Sequence, residues 1–115
     1  MIKIKRVYEK YEKEDGYRIL IDRLWPRGVS KEEAKIDLWL KDIAPSDKLR
    51  KWFSHKEERW EEFKKRYKDE LKEKGELINK IREMEKKHKV ITLVYSARDE
   101  KRNNAVVLME FLKND

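Results

Sequence analysis

Two polar clusters in this sequence hold residue types able to do chemistry. The first is Asp22-Arg23, followed by Trp25, Arg27 and Ser30. The second is Tyr95-Ser96, followed by Arg98, Asp99, Arg102, Asn103 and Asn104. Together they offer guanidinium forks, a carboxylate, hydroxyls and side-chain amides, a set that suits a phosphate or carboxylate ligand. In this reading Arg23 and Arg27 clamp an anion, Ser96 and Asn103 donate hydrogen bonds, and Trp25 and Asn104 add to the binding wall. Asp22 serves as an acid/base or orienting group. His55, in Trp52-Phe53-Ser54-His55, is a further candidate for proton transfer. Each feature has a structural alternative. Asp22 and Arg23 can form an internal ion pair that orders their loop. Trp25-Pro26 can be a packed turn, and His55 can cap a helix dipole. His88, set among Lys86, Lys87 and Lys89, reads as a surface residue.

Shared action requires the two clusters to meet, and the surrounding pattern says how they would. Ile2 to Tyr8 alternates apolar and basic residues, which predicts a strand with its lysines outward. After the Asp15-Gly16 turn signal, Tyr17 to Arg23 has a continuous apolar centre, the mark of a strand buried on both faces. Pro26 and Gly28 then force a loop. Ser30-Lys31-Glu32-Glu33 has capping-box spacing and predicts a short helix to about Lys35. Ile36 to Leu40 is a brief strand or extended passage, and Ser46 can cap a helix over 47–53. From about Lys56 a helical stripe of Trp60, Phe63, Tyr67 and Leu71 reads as core, interrupted at Gly75 before a second segment carrying Leu77, Ile78, Ile81 and Met84. Val90 to Tyr95 is the clearest strand, and Asn103 can cap the last helix. Strands separated by helices predict an α/β fold: a small, mostly parallel sheet of three to four strands with helices packed on both faces. Such sheets bind ligands beyond the carboxyl ends of their strands, where both clusters fall.

Composition narrows the classes. The 115 residues suit one domain spanning residues 1–115, and 38% hydrophobic residues with 12 aromatics provide a core. Charged residues reach 48%, with 31 Lys and Arg against 24 Asp and Glu, for a formal charge of +7. A basic balance permits nucleic-acid or phosphorylated partners, but the signs are interleaved; dense Lys/Glu usage also fits a heat-adapted surface. With no cysteine, thiolate catalysis, disulfides and zinc–thiolate sites are excluded. A metal site would need carboxylates, and none cluster at ligand spacing, so no metal site is expected; no cofactor is assigned. Three glycines leave no room for a Gly-rich phosphate cradle. No apolar run is long enough to span a bilayer, and no secretory signal opens the chain, so a soluble, cytoplasmic protein without a membrane partner is expected.

The run Asp22-Arg23-Leu24-Trp25-Pro26-Arg27-Gly28-Val29-Ser30-Lys31 closely resembles the hallmark of the YeaO-like family of prokaryotic proteins, the domain of unknown function 488. Trp39 to Ser46, Leu49 to His55, Arg59-Trp60, Phe63, Arg66, Tyr67, Leu93 to Ala97 and Asn103-Asn104-Ala105 extend the resemblance over nearly the whole chain. The resemblance implies a compact α/β fold and cytoplasmic residence, without an established activity. Where longer relatives carry a cysteine-containing loop, this chain has Ser96 and Asn103. Where short members often have His before the asparagine pair, it has Arg102. Arginine, asparagine and hydroxyl groups are the common denominator.

The leading expectation is therefore a small-ligand or enzymatic site for an anionic or nucleotide-like molecule. A nucleic-acid-binding module is the alternative from charge. A protein-interaction module using the helical region from Glu57 to Lys87 is the alternative from exposure. Against nucleic acid, Lys64, Lys65 and Lys68 are matched by Glu61, Glu62 and Asp69.

Overall fold

In the computed structural model, which describes residues 1–114, the alternating segments resolve into strands β1 (Ile2–Arg6), β2 (Tyr17–Leu20), β3 (Leu38–Trp39) and β4 (Ile91–Tyr95). They form one parallel sheet in the order β1-β4-β2-β3. The helices are α1 (Lys31–Ala34), α2 (Asp47–Phe53), α3 (Trp60–Lys72), α4 (Gly75–His88) and α5 (Asn104–Lys113), with 3₁₀ turns at Lys13–Asp15, Lys41–Ile43 and Glu57–Arg59. The architecture is the α/β sheet expected from the pattern. Its two most apolar strands, β2 and β4, take the central positions because only central strands are covered on both faces.

The in-register pairs sort the residues by face. Ile2, Ile91 and Tyr17 share one face, as do Ile4, Leu93 and Ile19. That face carries the larger core, where Leu49 and Phe53 of α2, Phe63, Tyr67 and Leu71 of α3, Ile78 and Ile81 of α4 and Leu108 of α5 pack. The expected α3 stripe is thus core, with Tyr67 and Leu71 wholly buried. The other face is smaller. Leu20, Val94 and Val7 meet Ala34 of α1, with Trp25, Val29, Ile36 and Trp39 around them. Helices lie on both faces, unequally. Along α3, Glu61–Lys64, Glu62–Arg66 and Asp69–Lys72 pair one turn apart, so the interleaved signs of the sequence become local ion pairs.

Boundaries shift where tertiary bonds decide them. β1 ends at Arg6 rather than Tyr8, although the Val7 N–H still donates to the Tyr95 carbonyl at 2.7 Å. β2 ends at Leu20 rather than Arg23; the Ile21 N–H reaches the Val94 carbonyl at 3.1 Å before the chain turns away. The helical break falls at Glu73-Lys74, with Gly75 the first residue of α4. Lys74 Nζ closes the break by donating to the carbonyls of Asp42 and Ala44. His88 is exposed, as expected, and stacks on Tyr17 with ring centroids 4.2 Å apart. Gly16 sits at φ +67°, and a Cβ there would lie 2.3 Å from the Val90 carbonyl oxygen, so glycine is required at the entry to β2.

One expectation for β1 fails. The Lys5 side chain is only 11% exposed, because it is drawn under the 3₁₀ turn that crosses the sheet between β1 and β2. Its ammonium lies 3.1 Å from both Asp15 carboxylate oxygens and 3.1 Å from Glu12. Arg18, in register with Thr92, adds a 2.6 Å bond to Asp15 and donates twice to the Ala34 carbonyl. Thr92 Oγ1 donates to the Asp15 carbonyl at 2.6 Å. A buried charge is tolerated here because each member has a partner.

This network makes stability depend on pH. Burial pushes the Asp15 carboxyl up, but the Glu12 N–H, Lys5 and Arg18 outweigh it and hold it below its ordinary 3.8. Burial pushes Lys5 down, but Asp15 and Glu12 outweigh it and lift the ammonium above its ordinary 10.5. Asp15 binds protons less readily folded than unfolded, so its contribution is present above about pH 4 and is lost as pH falls through the folded value. Lys5 contributes fully below about pH 10 and its share is lost as pH rises through its elevated folded value. Urea denaturation from pH 3 to 7 is expected to show a smaller acid-side loss of stability in Asp15→Asn than in the wild type. Parallel curves for the two proteins would remove the assignment.

Candidate functional site

Sheet register brings the two polar clusters together. Leu20 pairs with Val94, so two residues further along Asp22 stands beside Ser96 at the carboxyl ends of adjacent strands. One carboxylate oxygen of Asp22, Oδ2, accepts the Ser96 N–H at 2.9 Å and the Ser96 hydroxyl at 2.7 Å. The other, Oδ1, accepts the Asn104 amide at 3.1 Å, and that amide also lies 3.3 Å from the Ile21 carbonyl. The Asp22 carbonyl accepts the Trp39 indole N–H at 2.7 Å. A single residue thereby ties β2, β4, β3 and α5 at one rim.

The β4–α5 loop is ordered by its own side chains. Asp99 accepts the N–H groups of Lys101 and Arg102 at 2.9 and 3.0 Å, and these bonds, helped by the Arg102 guanidinium, hold its carboxyl below the usual carboxylate range. Buried Asn103 caps α5 as the sequence predicts: its oxygen accepts the Val106 N–H at 3.0 Å and its amide donates to the Asp99 carbonyl at 2.9 Å. Arg102 reaches across to Glu57 at 2.6 Å.

The β2–α1 loop forms the opposite wall. Arg23 does not pair with Asp22. Its guanidinium lies 3.7 Å from Asp42 and 3.8 Å from Asp47 and donates to the carbonyls of Ala44 and Pro45, while its Nε is buried without a hydrogen bond. The Trp25 indole donates to the Val29 carbonyl at 2.6 Å and meets Trp39 edge-on with centroids 5.4 Å apart, so the Trp-Pro segment is a packed turn that also faces the cleft. The Tyr8 hydroxyl donates to the Arg27 carbonyl at 2.9 Å, and the Arg6 guanidinium lies 4.9 Å from the Tyr8 ring centre.

Between these walls lies a cleft of about 970 Å³. Asp22, Arg23, Trp25, Arg27, His55, Ser96, Asn103 and Asn104, the candidate site residues of the sequence, all line it, whereas Ser30, Tyr95 and Asp99 of the same two clusters do not. His55 enters from the end of α2. It and Ser54 sit at φ +55° and +44°, a left-handed pair that costs a non-glycine residue roughly 1–2 kcal/mol each.

Several lining residues were not among those candidates. Arg6 fell within the Ile2 to Tyr8 strand segment and was not singled out; it stands at the end of β1, donating to the carbonyls of Ser96 and Ala97. Arg50 and Lys51, basic residues in the last turn of α2, both face the cleft. With Arg98 and Arg102, already noted in the β4–α5 loop, the lining holds seven cationic side chains against one carboxylate, Asp22. Arg6, Arg27, Lys51 and Arg98 make no ion pair among the described residues. Among the described residues there is also no group of three or more His, Cys, Asp or Glu able to hold a metal ion, and no helix long and apolar enough to cross a membrane.

Comparison with known proteins gives a consistent picture. The family described as the inactive DUF488-N3 subclade matches residues 1–115. An uncharacterized Escherichia coli protein, YeaO, is 41% identical over 113 residues, covering 98% of this chain and 97% of its own length. Uncharacterized proteins of Mycobacterium tuberculosis and Mycobacterium bovis are 39% identical over 111 residues, covering 96% of this chain and 92% of theirs. No solved structure matches the chain.

Proposed function

The chain belongs to the DUF488-N3 family, within the subclade described as inactive, and from that premise we propose that it is a binding module for a small oxyanion-bearing ligand, held at the carboxyl ends of the strands without being turned over. The observation that carries this reading is the charge of the cleft: seven cationic side chains line it with one carboxylate, and four of them, Arg6, Arg27, Lys51 and Arg98, have no ion-pair partner among the described residues. Cations converging on a concave, partly desolvated space raise the local concentration of anions and bind them through charge-assisted hydrogen bonds.

The state of Asp22 supports binding over turnover. Its two oxygens already accept three hydrogen bonds, from the Ser96 N–H and hydroxyl and from Asn104. A carboxylate so engaged serves as a positioning group that fixes both loops, with one acceptor site on Oδ1 left over. Arg27 and Arg98, which lack ion-pair partners, are the proposed anion clamps. Ser96, Asn103 and Asn104 shape the floor, and His55 lines the wall. Arg23 is proposed to add its charge from a fixed place, since the Ala44 and Pro45 carbonyls anchor it. On α3, Lys64, Arg66 and Lys72 are paired with acids one turn away and Lys68 with Glu110, which leaves that helix with little uncompensated charge of its own.

Calorimetric titration of the full chain with inorganic phosphate and pyrophosphate at low ionic strength tests the reading. Saturable binding is expected, weakened about tenfold in an Arg27→Ala, Arg98→Ala double variant, the loss of roughly 1.4 kcal/mol of charge-assisted contact. Both residues are exposed, so the variant should fold normally. No heat of binding with the wild type, or equal affinity in the variant, would overturn the proposal.

A further inference from the structure

We infer that the ligand of this cleft is a diphosphate attached to a planar ring, of the nucleoside diphosphate class, and that Leu24 and Tyr8 form the seat of the ring. The inference rests on the anion-site reading above and adds the size, charge and apolar half of the ligand.

The first argument is charge. Four lining cations, Arg6, Arg27, Lys51 and Arg98, have no ion-pair partner among the described residues, and the Asp22 carboxylate offsets one of them. The excess of three matches a diphosphate ester better than a single phosphate dianion. These cations also come from different segments: the end of β1, the loop after β2, α2 and the loop after β4. Partners spread over several walls suit an extended anion. A volume of about 970 Å³ lies at the upper end of the roughly 300–1,000 Å³ typical of small-molecule sites, far more than one phosphate fills.

The second argument is apolar surface. Among the described residues the exposed large hydrophobic side chains are Met1, Tyr8, Tyr11 and Leu24, and two of these, Tyr8 and Leu24, line this cationic cleft. Leu24 is 70% exposed although both of its chain neighbours, Arg23 and Trp25, are partly buried. The Tyr8 ring is held in place by its bond to the Arg27 carbonyl and by the Arg6 guanidinium over it. A rigid aromatic ring and an aliphatic side chain beside guanidinium groups form a surface that a flat heteroaromatic ring covers favourably, with its phosphates directed to the cations.

The test is titration of the full chain with inorganic phosphate, pyrophosphate and ADP, repeated with Leu24→Asn and Tyr8→Ser. ADP is expected to bind at least tenfold more tightly than pyrophosphate, and pyrophosphate more tightly than phosphate. Leu24→Asn, which alters an exposed side chain, should cut the ADP preference to about threefold or less and leave pyrophosphate affinity unchanged. Tyr8→Ser should act in the same direction. ADP binding no tighter than pyrophosphate, or an ADP preference that survives both substitutions, overturns the ring seat while the anion site stands. Pyrophosphate binding no tighter than phosphate overturns the diphosphate assignment. Failure of all three to bind overturns the anion site itself, and this inference with it.

Discussion

Alanine in place of Arg18 is expected to lower the stability of the fold by about 3–5 kcal/mol, the usual cost of breaking a buried ion pair from one side. Arg18 is 1% exposed, although its position in a strand would suit an apolar side chain. Its guanidinium supplies two hydrogen bonds to the Ala34 carbonyl, at 2.8 and 3.2 Å, and the 2.6 Å bond to Asp15. The Ala34 carbonyl belongs to the last residue of α1, and the chain turns left-handed at Lys35, φ +47°, just after it. Arg18 therefore supplies the end of α1 with the donors that a continuing helix would have given. Alanine would strand that carbonyl, leave Asp15 with Lys5 as its remaining side-chain cation and open a cavity beneath Tyr11, whose ring centre lies 5.5 Å from the guanidinium. Arg18→Met should lose less than alanine, because it refills the space without restoring the hydrogen bonds. Urea denaturation of the three proteins at pH 7 gives the comparison, and an alanine variant within 1 kcal/mol of wild type would show the network to be dispensable.

Asp22→Ala is expected to cost about 2–3 kcal/mol, since it leaves a backbone N–H, a hydroxyl and an amide without their acceptor at a half-buried rim. Asp22→Asn should cost roughly half as much. Its oxygen can still accept both Ser96 donors, but its NH₂ then faces the Asn104 NH₂. Turning Asn104 over to relieve that contact gives up its bond to the Ile21 carbonyl. The same chemical-denaturation series measures both variants. If alanine and asparagine are equally tolerated, the carboxylate does not hold the two loops together. A loss graded from asparagine to alanine identifies Asp22 as the tie between β2, β4 and α5.

Local sequence determined a good deal. The capping box of Ser30 and Glu33, the Asn103 cap of α5 and the core stripe of α3 depend on spacing within a few residues and form where that spacing puts them, and the two buried strands form within their expected segments, β2 ending three residues earlier. The convergence of Asp22 and Ser96 followed from a single topological condition, that the second and last strands be neighbours, and the sheet meets it. Other features depended on partners distant in the chain. Lys5 looked outward by alternation, yet the crossing turn at Lys13–Asp15 covers it, because a buried carboxylate needs a cation and Lys5 lies within reach. An Asp22–Arg23 ion pair was one alternative open to the sequence, but Arg23 sits in the bend after β2 and its guanidinium lies against Asp42 and Asp47, brought there from the segment after β3. Arg6, Arg50 and Lys51 joined the cleft only through the order of strands and the packing of α2. Periodicity reports which side of an element a residue occupies; only tertiary packing decides what the rest of the chain brings to that side.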